Sequence, residues 1–326
     1  MEQAIVHSQG QVEGQQLADF SDLVDRAKDY LSRGEVANTK RAYDGDMKRF
    51  REWCEASGVQ SLPAAPETVF LYLTHRADSC KVSTLVRMLA SISVAHKGAG
   101  FPTPTSDGRI QELLASIKRV KGTAPIKKAA ATVDRLKPMV AAQREDLKGK
   151  RNRAILLVGF AGAFRRSELV ALDFADLEFR PGEGVLITLR RSKTDQEGKG
   201  ETKEIDYGAQ ESTCPVKALR IWLDAAGITS GPVFRSFDIH GCLQPRRLTA
   251  QSVALVVKAA AKEAKLDPSL FSGHSLRSGF CTTAGGKGML SRTIRKQTGH
   301  KGDAMVERYI EEGSRFQENF SRMAGL

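Results

Sequence analysis

Between Leu17 and about Lys121 the apolar residues recur at spacings of three and four, and this restricts the first third of the chain to helices. Leu17, Phe20, Val24, Ala27 and Leu31 define one buried face. Asn38 suits the N-cap of a second helix carrying Tyr43, Met47, Phe50 and Cys54. Pro66 fits a first-turn position ahead of Val69, Tyr72 and Leu73. Ser83 opens a fourth helix with Leu85, Leu89, Ile92 and His96, closed by Gly100, Pro102 and Pro104. A fifth carries Ile110, Leu113, Leu114, Ile117 and Val120. Residues 1–16 are polar and are expected to be disordered.

The pattern changes after residue 121. Residues 122–131, GTAPIKKAAA, have no long apolar face and read as a short basic linker. Thr132 then caps a new helical stretch that runs to Phe164 and resumes from Arg166 to Leu172. Val185, Ile187 and Leu189 alternate as a strand does, and Lys203, Ile205 and Tyr207 suggest the returning strand of a hairpin. Helices are expected at 215–226, 249–265, about 275–285, 291–297 and 303–310, and an amphipathic segment with Phe316, Phe320 and Met323 ends the chain. The expected fold is mainly α: an all-helical domain over 17–121, the linker 122–131, and an α+β domain over 132–326 with a small antiparallel sheet.

Composition narrows the function class. Fifty Lys and Arg against 38 Asp and Glu leave a net charge of +12, which favours a polyanionic partner such as nucleic acid. Basic side chains lie opposite the apolar faces of the first domain: Lys40, Arg41, Lys48, Lys81, Arg87, Lys118, Arg119 and Lys121. Solvated surface and phosphate contact are both open readings for each. The longest apolar run, Ala154 to Phe164, is too short to cross a bilayer, and the opening residues show no signal-peptide pattern. Five scattered cysteines without a CxxC pair argue for free thiols in a reducing cytoplasm and against a zinc site. No metal and no cofactor is expected. Ala284-Gly285-Gly286-Lys287-Gly288 looks like a phosphate loop but fails the Walker spacing, and reads as a turn.

Several short motifs carry chemistry. In Gly273-His274-Ser275-Leu276-Arg277 the imidazole and the guanidinium stand three residues apart, on one side of a helix. Such a pair suits a phosphate: Arg grips two oxygens as a fork and His manages a proton, although HxxR alone is common in ion-pairing surfaces. Upstream, Arg165 ends an apolar helix, with Glu168 three residues on to orient it. Lys193 lies at the expected hairpin tip, within Arg191-Ser192-Lys193-Thr194-Asp195. His300 follows Gly299, and Tyr309 comes nine residues later in Val306-Glu307-Arg308-Tyr309-Ile310.

The order Arg165, Lys193, His274 with Arg277, His300 and Tyr309 resembles the catalytic set of the tyrosine recombinase (phage integrase) family, most nearly its simple Cre-like members. The resemblance covers roughly residues 35–326, with Asn38-Thr39 through Trp53-Cys54, Pro66-Glu67 and His96 to Gly100 similar to the family's helical, SAM-like core-binding domain. Two departures stand out. Arg166 follows Arg165 where the family usually has an aliphatic residue, so the two arginines could exchange roles, and His300 stands where Cre has tryptophan and most of the family histidine.

The resemblance implies a C-shaped clamp around double-stranded DNA with inverted half-sites, a homotetramer on DNA formed from monomers, and no membrane association. It implies attack by Tyr309 on the scissile phosphate, charge stabilisation by Arg165 and Arg277, and protonation of the leaving oxygen by Lys193. His274 and His300 would bond the phosphate, and Glu168 would orient Arg165. It also places Gln251 in the major groove, Arg246, Arg247 and Lys258 on the backbone, and residues 311–326 as an exchange helix docking in a neighbouring protomer. The short stretch ahead of the core-binding domain favours a recombinase with few accessory factors. A type IB topoisomerase and a DNA-binding regulator that has lost catalysis are the rival readings.

Overall fold

In the computed structural model the described residues are 37–124, 127–190, 200–300 and 302–315, with isolated positions 23, 26 and 324. The expected first helix, Lys193 and the stripe of Phe316, Phe320 and Met323 therefore lie outside the described residues. The chain divides into two compact units, Met1–Pro125 and Ile126–Leu326.

In the first unit four helices, α1 (Ala37–Ala56), α2 (Pro66–Ala77), α3 (Val82–Gly98) and α4 (Gly108–Lys121), enclose one core. Its centre is Met47, Phe50 and Cys54 of α1 against Val69, Tyr72 and Leu73 of α2, with Leu85, Ile92, Ile110 and Ile117 completing it. Phe50 and Trp53 pack on the Tyr72 ring at 4.9 and 5.2 Å between centroids. His96 is wholly buried and satisfied: Nε2 accepts from the Ala64 amide at 2.8 Å, so Nδ1 donates to the Ile92 carbonyl at 2.8 Å. Two details differ from expectation. Lys81, not Asn38 or Ser83, occupies an N-cap, that of α3, and Val120 is 87% exposed, because a residue three beyond Ile117 at the end of α4 has already left the core-facing stripe.

The second unit is larger. The stretch expected to be helical from 132 to 164 is two helices, α5 (Val133–Ala141) and α6 (Leu147–Ala161), the break being set by Asp146, whose carboxylate caps α6 by accepting from the Gly149 amide at 2.7 Å. A short α7 (Arg166–Ala171) follows. β1 (Leu177–Arg180), β2 (Gly184–Leu189) and β3 (Glu201–Asp206) form an antiparallel sheet in that order, with Val185 opposite Ile205 and Ile187 opposite Lys203. After α8 (Pro215–Ala225), strands β4 (Arg235–Phe237) and β5 (Leu243–Arg247) form a second, two-stranded sheet that the sequence did not signal. Four further helices follow: α9 (Ala250–Glu263), α10 (Ser275–Gly286), α11 (Ser291–Thr298) and α12 (Asp303–Ser314). Residues 311–314, expected to begin the exchange helix, are the last turn of α12.

α6 is the buried axis of this unit, with Ala154 to Gly159 enclosed on every side. Gly159 lets α10 approach: a Cβ there would stand 2.8 Å from the Leu276 side chain and 3.2 Å from Leu169. The segment expected as free linker is partly packed, because Ala131 is buried and its amide donates to the Ser275 carbonyl at 2.9 Å. Of the glycine-rich run expected as a turn, Ala284 to Gly286 are the end of a helix, and Lys287 and Gly288 form the turn. Gly285 and Gly286 end α10 and allow α12 to lie against it: a Cβ on Gly285 would meet the Ile310 Cα at 2.6 Å, and one on Gly313 the Thr282 carbonyl at 2.2 Å.

This backbone contact sets where α12 can sit. Gly285→Ala or Gly313→Ala is expected to destabilise the protein by about 1–3 kcal/mol through overpacking and to displace α12. Urea unfolding of each variant measures it; full stability in both would show that the helices do not depend on the close approach.

Candidate active site

The site begins at the turn between α6 and α7. Ala163 has φ of +47°, a left-handed conformation uncommon for a residue with a side chain. Its carbonyl accepts from Arg277 Nη1 at 2.9 Å. Arg165 follows as the N-cap residue of α7, not at the end of the preceding helix as expected. Glu168, buried in the first turn of α7, accepts from the Arg165 amide at 2.8 Å and from Arg165 Nη1 at 2.5 Å, so backbone and side chain are held by one carboxylate. Arg166 points elsewhere: it is exposed, and its Nη1 donates to Gln251 Oε1 at 3.4 Å.

Arg277 enters from the first turn of α10 and is 1% exposed. Nη1 is spoken for, but Nε and Nη2 are buried without a hydrogen-bond partner among the described residues. Burial, and then the nearby Arg165 charge, hold its pKa below the usual guanidinium range. A buried cation with unmatched donors costs several kcal/mol unless something anionic completes it, and such groups mark functional sites.

His274, the N-cap residue of α10, stands beside it, with Nε2 3.4 Å from the Tyr309 hydroxyl. Desolvation of the ring, followed by Arg277 and Arg165, lowers the His274 pKa. Tyr309 projects from α12, partly packed against Cys281, Ala284, Ile294 and Val306. Burial, and then the neighbouring Cys281, raise its pKa. The His300 ring is stacked near Tyr309, centroids 6.5 Å apart at 26°. Its pKa is pushed down to about 4 by burial and then by Arg277, Arg165, His274 and Lys203. At neutral pH both histidines are uncharged and can accept protons.

A cleft of about 230 Å³ opens at Tyr309, lined by His274, Ser272, Lys127, Lys128, Arg308 and Glu312 among others. Lys127 pairs with Glu312 at 3.7 Å, and Lys128 Nζ donates to the Ser269 carbonyl at 2.7 Å. Reading the segment as linker hid these two cations beside Tyr309. Lys203 was hidden as well. It is 2% exposed, its ammonium lies over the Phe164 ring and donates to the Gln297 carbonyl, and burial lowers its pKa. The available signal was its register with Ile205, which puts a lysine on the inward face of β3.

Arg165, Glu168, His274, Arg277, His300 and Tyr309 thus share one neighbourhood, while Lys193 lies outside the described residues. Of the expected DNA contacts, Lys40, Arg41, Lys81, Lys118, Arg119, Gln251 and Lys258 are exposed. Several have partners within the protein: Gln251 accepts from Arg166, Arg87 forks onto the buried Asp46 at 2.7 and 3.1 Å, and Lys121 donates to the Ala77 and Cys80 carbonyls. Arg246 donates to Ser236 Oγ at 3.1 Å, and Arg247 bonds the Val170 and Leu172 carbonyls and Asp173. Among the described residues no three metal-ligating side chains converge, and no helix is long and apolar enough to cross a membrane.

Residues 131–314, more than half of the chain, match the sequence pattern of the phage integrase family. An integrase/recombinase xerD homolog of Selenomonas ruminantium is 42% identical over 298 residues, covering 90% of this chain and 87% of that protein. The Cre recombinase of Escherichia phage P1 is 23% identical over 194 residues, covering 55% and 52%, so the likeness to Cre is more distant than that to the xerD homolog. The fold is similar to the Tn1549 transposon integrase in complex with transposon right end DNA, with a TM-score of 0.63 at 16% identity, covering 91% and 98% of the two chains. It is also similar to a lambda integrase dimer bound to a COC′ core site, with a TM-score of 0.60 at 17% identity, covering 92% and 98%. The chain belongs to the phage integrase family, the tyrosine site-specific recombinases.

Proposed function

We propose that this recombinase cleaves DNA through Tyr309. The phenolic oxygen attacks the scissile phosphorus, the bond from phosphorus to the 5′-oxygen breaks, and the protein holds a 3′-phosphotyrosine while a 5′-hydroxyl leaves. Attack by another strand's 5′-hydroxyl reverses the step and rejoins the DNA. The ester stores the bond energy, so the reaction draws on neither nucleotide nor metal. The observation that carries this reading is the buried Arg277, with two nitrogens that lack a hydrogen-bond partner among the described residues and a charge that acts on both His274 and Tyr309.

The division of labour follows from charge. Arg277 and the Glu168-held Arg165 receive the non-bridging oxygens as negative charge grows on them. His274 takes the proton of Tyr309, His274 and His300 bond the phosphate, and Lys193 protonates the departing 5′-oxygen. Both units bind duplex DNA, and Lys40, Arg41, Lys81, Lys118, Arg119 and Lys258 neutralise phosphates. Arg87, Lys121, Arg246 and Arg247, anchored on their own protein, meet the backbone as pre-positioned donors. Gln251 reads base edges in the major groove. The protein acts in the cytoplasm as a tetramer on paired inverted half-sites, assembled from monomers through exchange of residues 311–326.

Tyr309→Phe is expected to bind a half-site normally and to give no covalent complex on a nicked suicide substrate, whereas the unaltered protein is trapped. A covalent band with the phenylalanine variant would overturn the assignment of the nucleophile. Lys193→Ala is expected to lose about 10²–10⁴-fold in cleavage rate and to recover on DNA whose bridging 5′-oxygen is sulfur, because thiolate departs without a proton. Equal defects on both substrates would remove Lys193 from the leaving-group step.

A further inference from the structure

Beneath His300 the structure holds a device that the catalytic set does not include. Thr298 is the last residue of α11 and is 1% exposed. Gly299 then turns the chain in the left-handed conformation, at φ of +65°, and His300 follows. The Thr298 hydroxyl makes two short contacts: Oγ1 is 2.7 Å from the Ile294 carbonyl oxygen and 2.8 Å from His300 Nδ1.

Proton counting decides what those contacts mean. Two oxygens 2.7 Å apart repel unless a proton lies between them. A carbonyl has none to give, so the hydroxyl donates to Ile294. A hydroxyl has a single proton; spent on the carbonyl, it leaves Oγ1 only lone pairs to turn toward the ring. The 2.8 Å contact to Nδ1 then requires the proton to sit on Nδ1. A neutral imidazole carries one N–H, and Nε2 is left bare.

We infer that Thr298 is a positioning residue that fixes His300 as the Nδ1–H tautomer, so that His300 meets the reacting groups through Nε2 as a proton acceptor. This rests on the phosphotyrosine reading given above. It alters one role within it: neutral His300 has no proton to donate to a phosphate oxygen, and bonds one only after Nε2 has taken up a proton. Because the Tyr309 proton goes to His274, the proton that Nε2 takes up comes from solvent as the negative charge of the bound phosphate raises the basicity of the ring. The ring is neutral at physiological pH, with its pKa at about 4 in the free protein, so the tautomer rather than the charge sets what it offers. Burial, and then the neighbouring Arg277, Arg165, His274 and Lys203, keep it so.

Long-range ¹⁵N–¹H spectra of the histidine side chains, recorded at pH 7.5 on the full chain without DNA, read the tautomer directly. The His300→Gln variant identifies the signal among the six histidines. The expected spectrum shows a protonated Nδ1 and a bare Nε2 in the unaltered protein and in Thr298→Ser. In Thr298→Val the Nδ1–H population should fall, and single-turnover cleavage should slow at least about tenfold with half-site Kd unchanged, given that a wrong tautomer costs about 10⁴ in a serine-protease triad. Thr298→Ser should cleave at close to the normal rate. A protonated Nε2 in the unaltered protein overturns the inference whatever the variants do, and leaves the Tyr309 chemistry standing. The expected tautomer with unimpaired cleavage by Thr298→Val overturns the positioning role. Should Thr298→Val not fold, Thr298→Ala carries the same comparison.

Discussion

The buried guanidinium of Arg277 is the interaction around which the catalytic unit is arranged. Inside a protein an unpaired cation loses its hydration and gains nothing in return, yet among the described residues the only hydrogen bond this one makes is to the Ala163 carbonyl. The neighbouring Glu168 attracts this charge from a distance but makes its hydrogen bonds to Arg165. Two nitrogens therefore remain as donors fixed in direction before any ligand arrives. Donors aimed in advance at developing charge need no reorganisation during reaction, which makes such preorganisation a large term in catalysis. In the proposed reaction the scissile phosphate supplies the missing acceptors, and the instability of the free site is the source of its affinity for a phosphorus centre carrying extra charge.

Holding that arrangement requires unusual backbone at several points. Ala163 accepts a left-handed conformation with its carbonyl turned to Arg277. Gly159 brings α10 onto α6, and Gly285 with Gly313 brings α12 onto α10. These contacts leave little freedom to the position of Tyr309 relative to His274. β3 adds a tie from another direction. Lys203 and Glu204 grip α11, the first by the Gln297 carbonyl and the second by accepting from Lys296 and from the Gln297 side chain. The hairpin expected to carry Lys193 is thereby linked to the segment that carries His300.

Much of this was legible in the sequence, for physical reasons. The helices of both units follow strict spacing of apolar residues, as Met47, Phe50 and Cys54 show. The candidate site was legible because His274, Arg277, His300 and Tyr309 are chemically capable residue types whose order resembles that of a known family, and the fold brings them together. What escaped detection lacked a periodic signal. β1 alternates only between half-buried and exposed residues, and β4 with β5 buries almost nothing, so neither hairpin stands out from loop. Gly285 and Gly286 looked like a turn because the reason for glycine, the close approach of α12 at Ile310 and Gly313, is tertiary. The same holds for the cations. Sequence counts Arg87, Arg247 and Lys203 as charges, but not that Asp46, the α7 carbonyls or a buried pocket already hold them.

The central claim is that Arg277 exists to meet negative charge on the scissile phosphate. Replacing one non-bridging oxygen of that phosphate by a methyl group removes the charge without removing the leaving group. The direct measurement is therefore the single-turnover cleavage rate of Arg277→Ala on the ordinary phosphodiester and on the methylphosphonate, with half-site binding confirmed for both. The account predicts an inert variant on the diester and substantial cleavage of the methylphosphonate, where one guanidinium, that of Arg165, suffices. An equally inert variant on both substrates would contradict it, and would make Arg277 a structural cation rather than the partner of the phosphate.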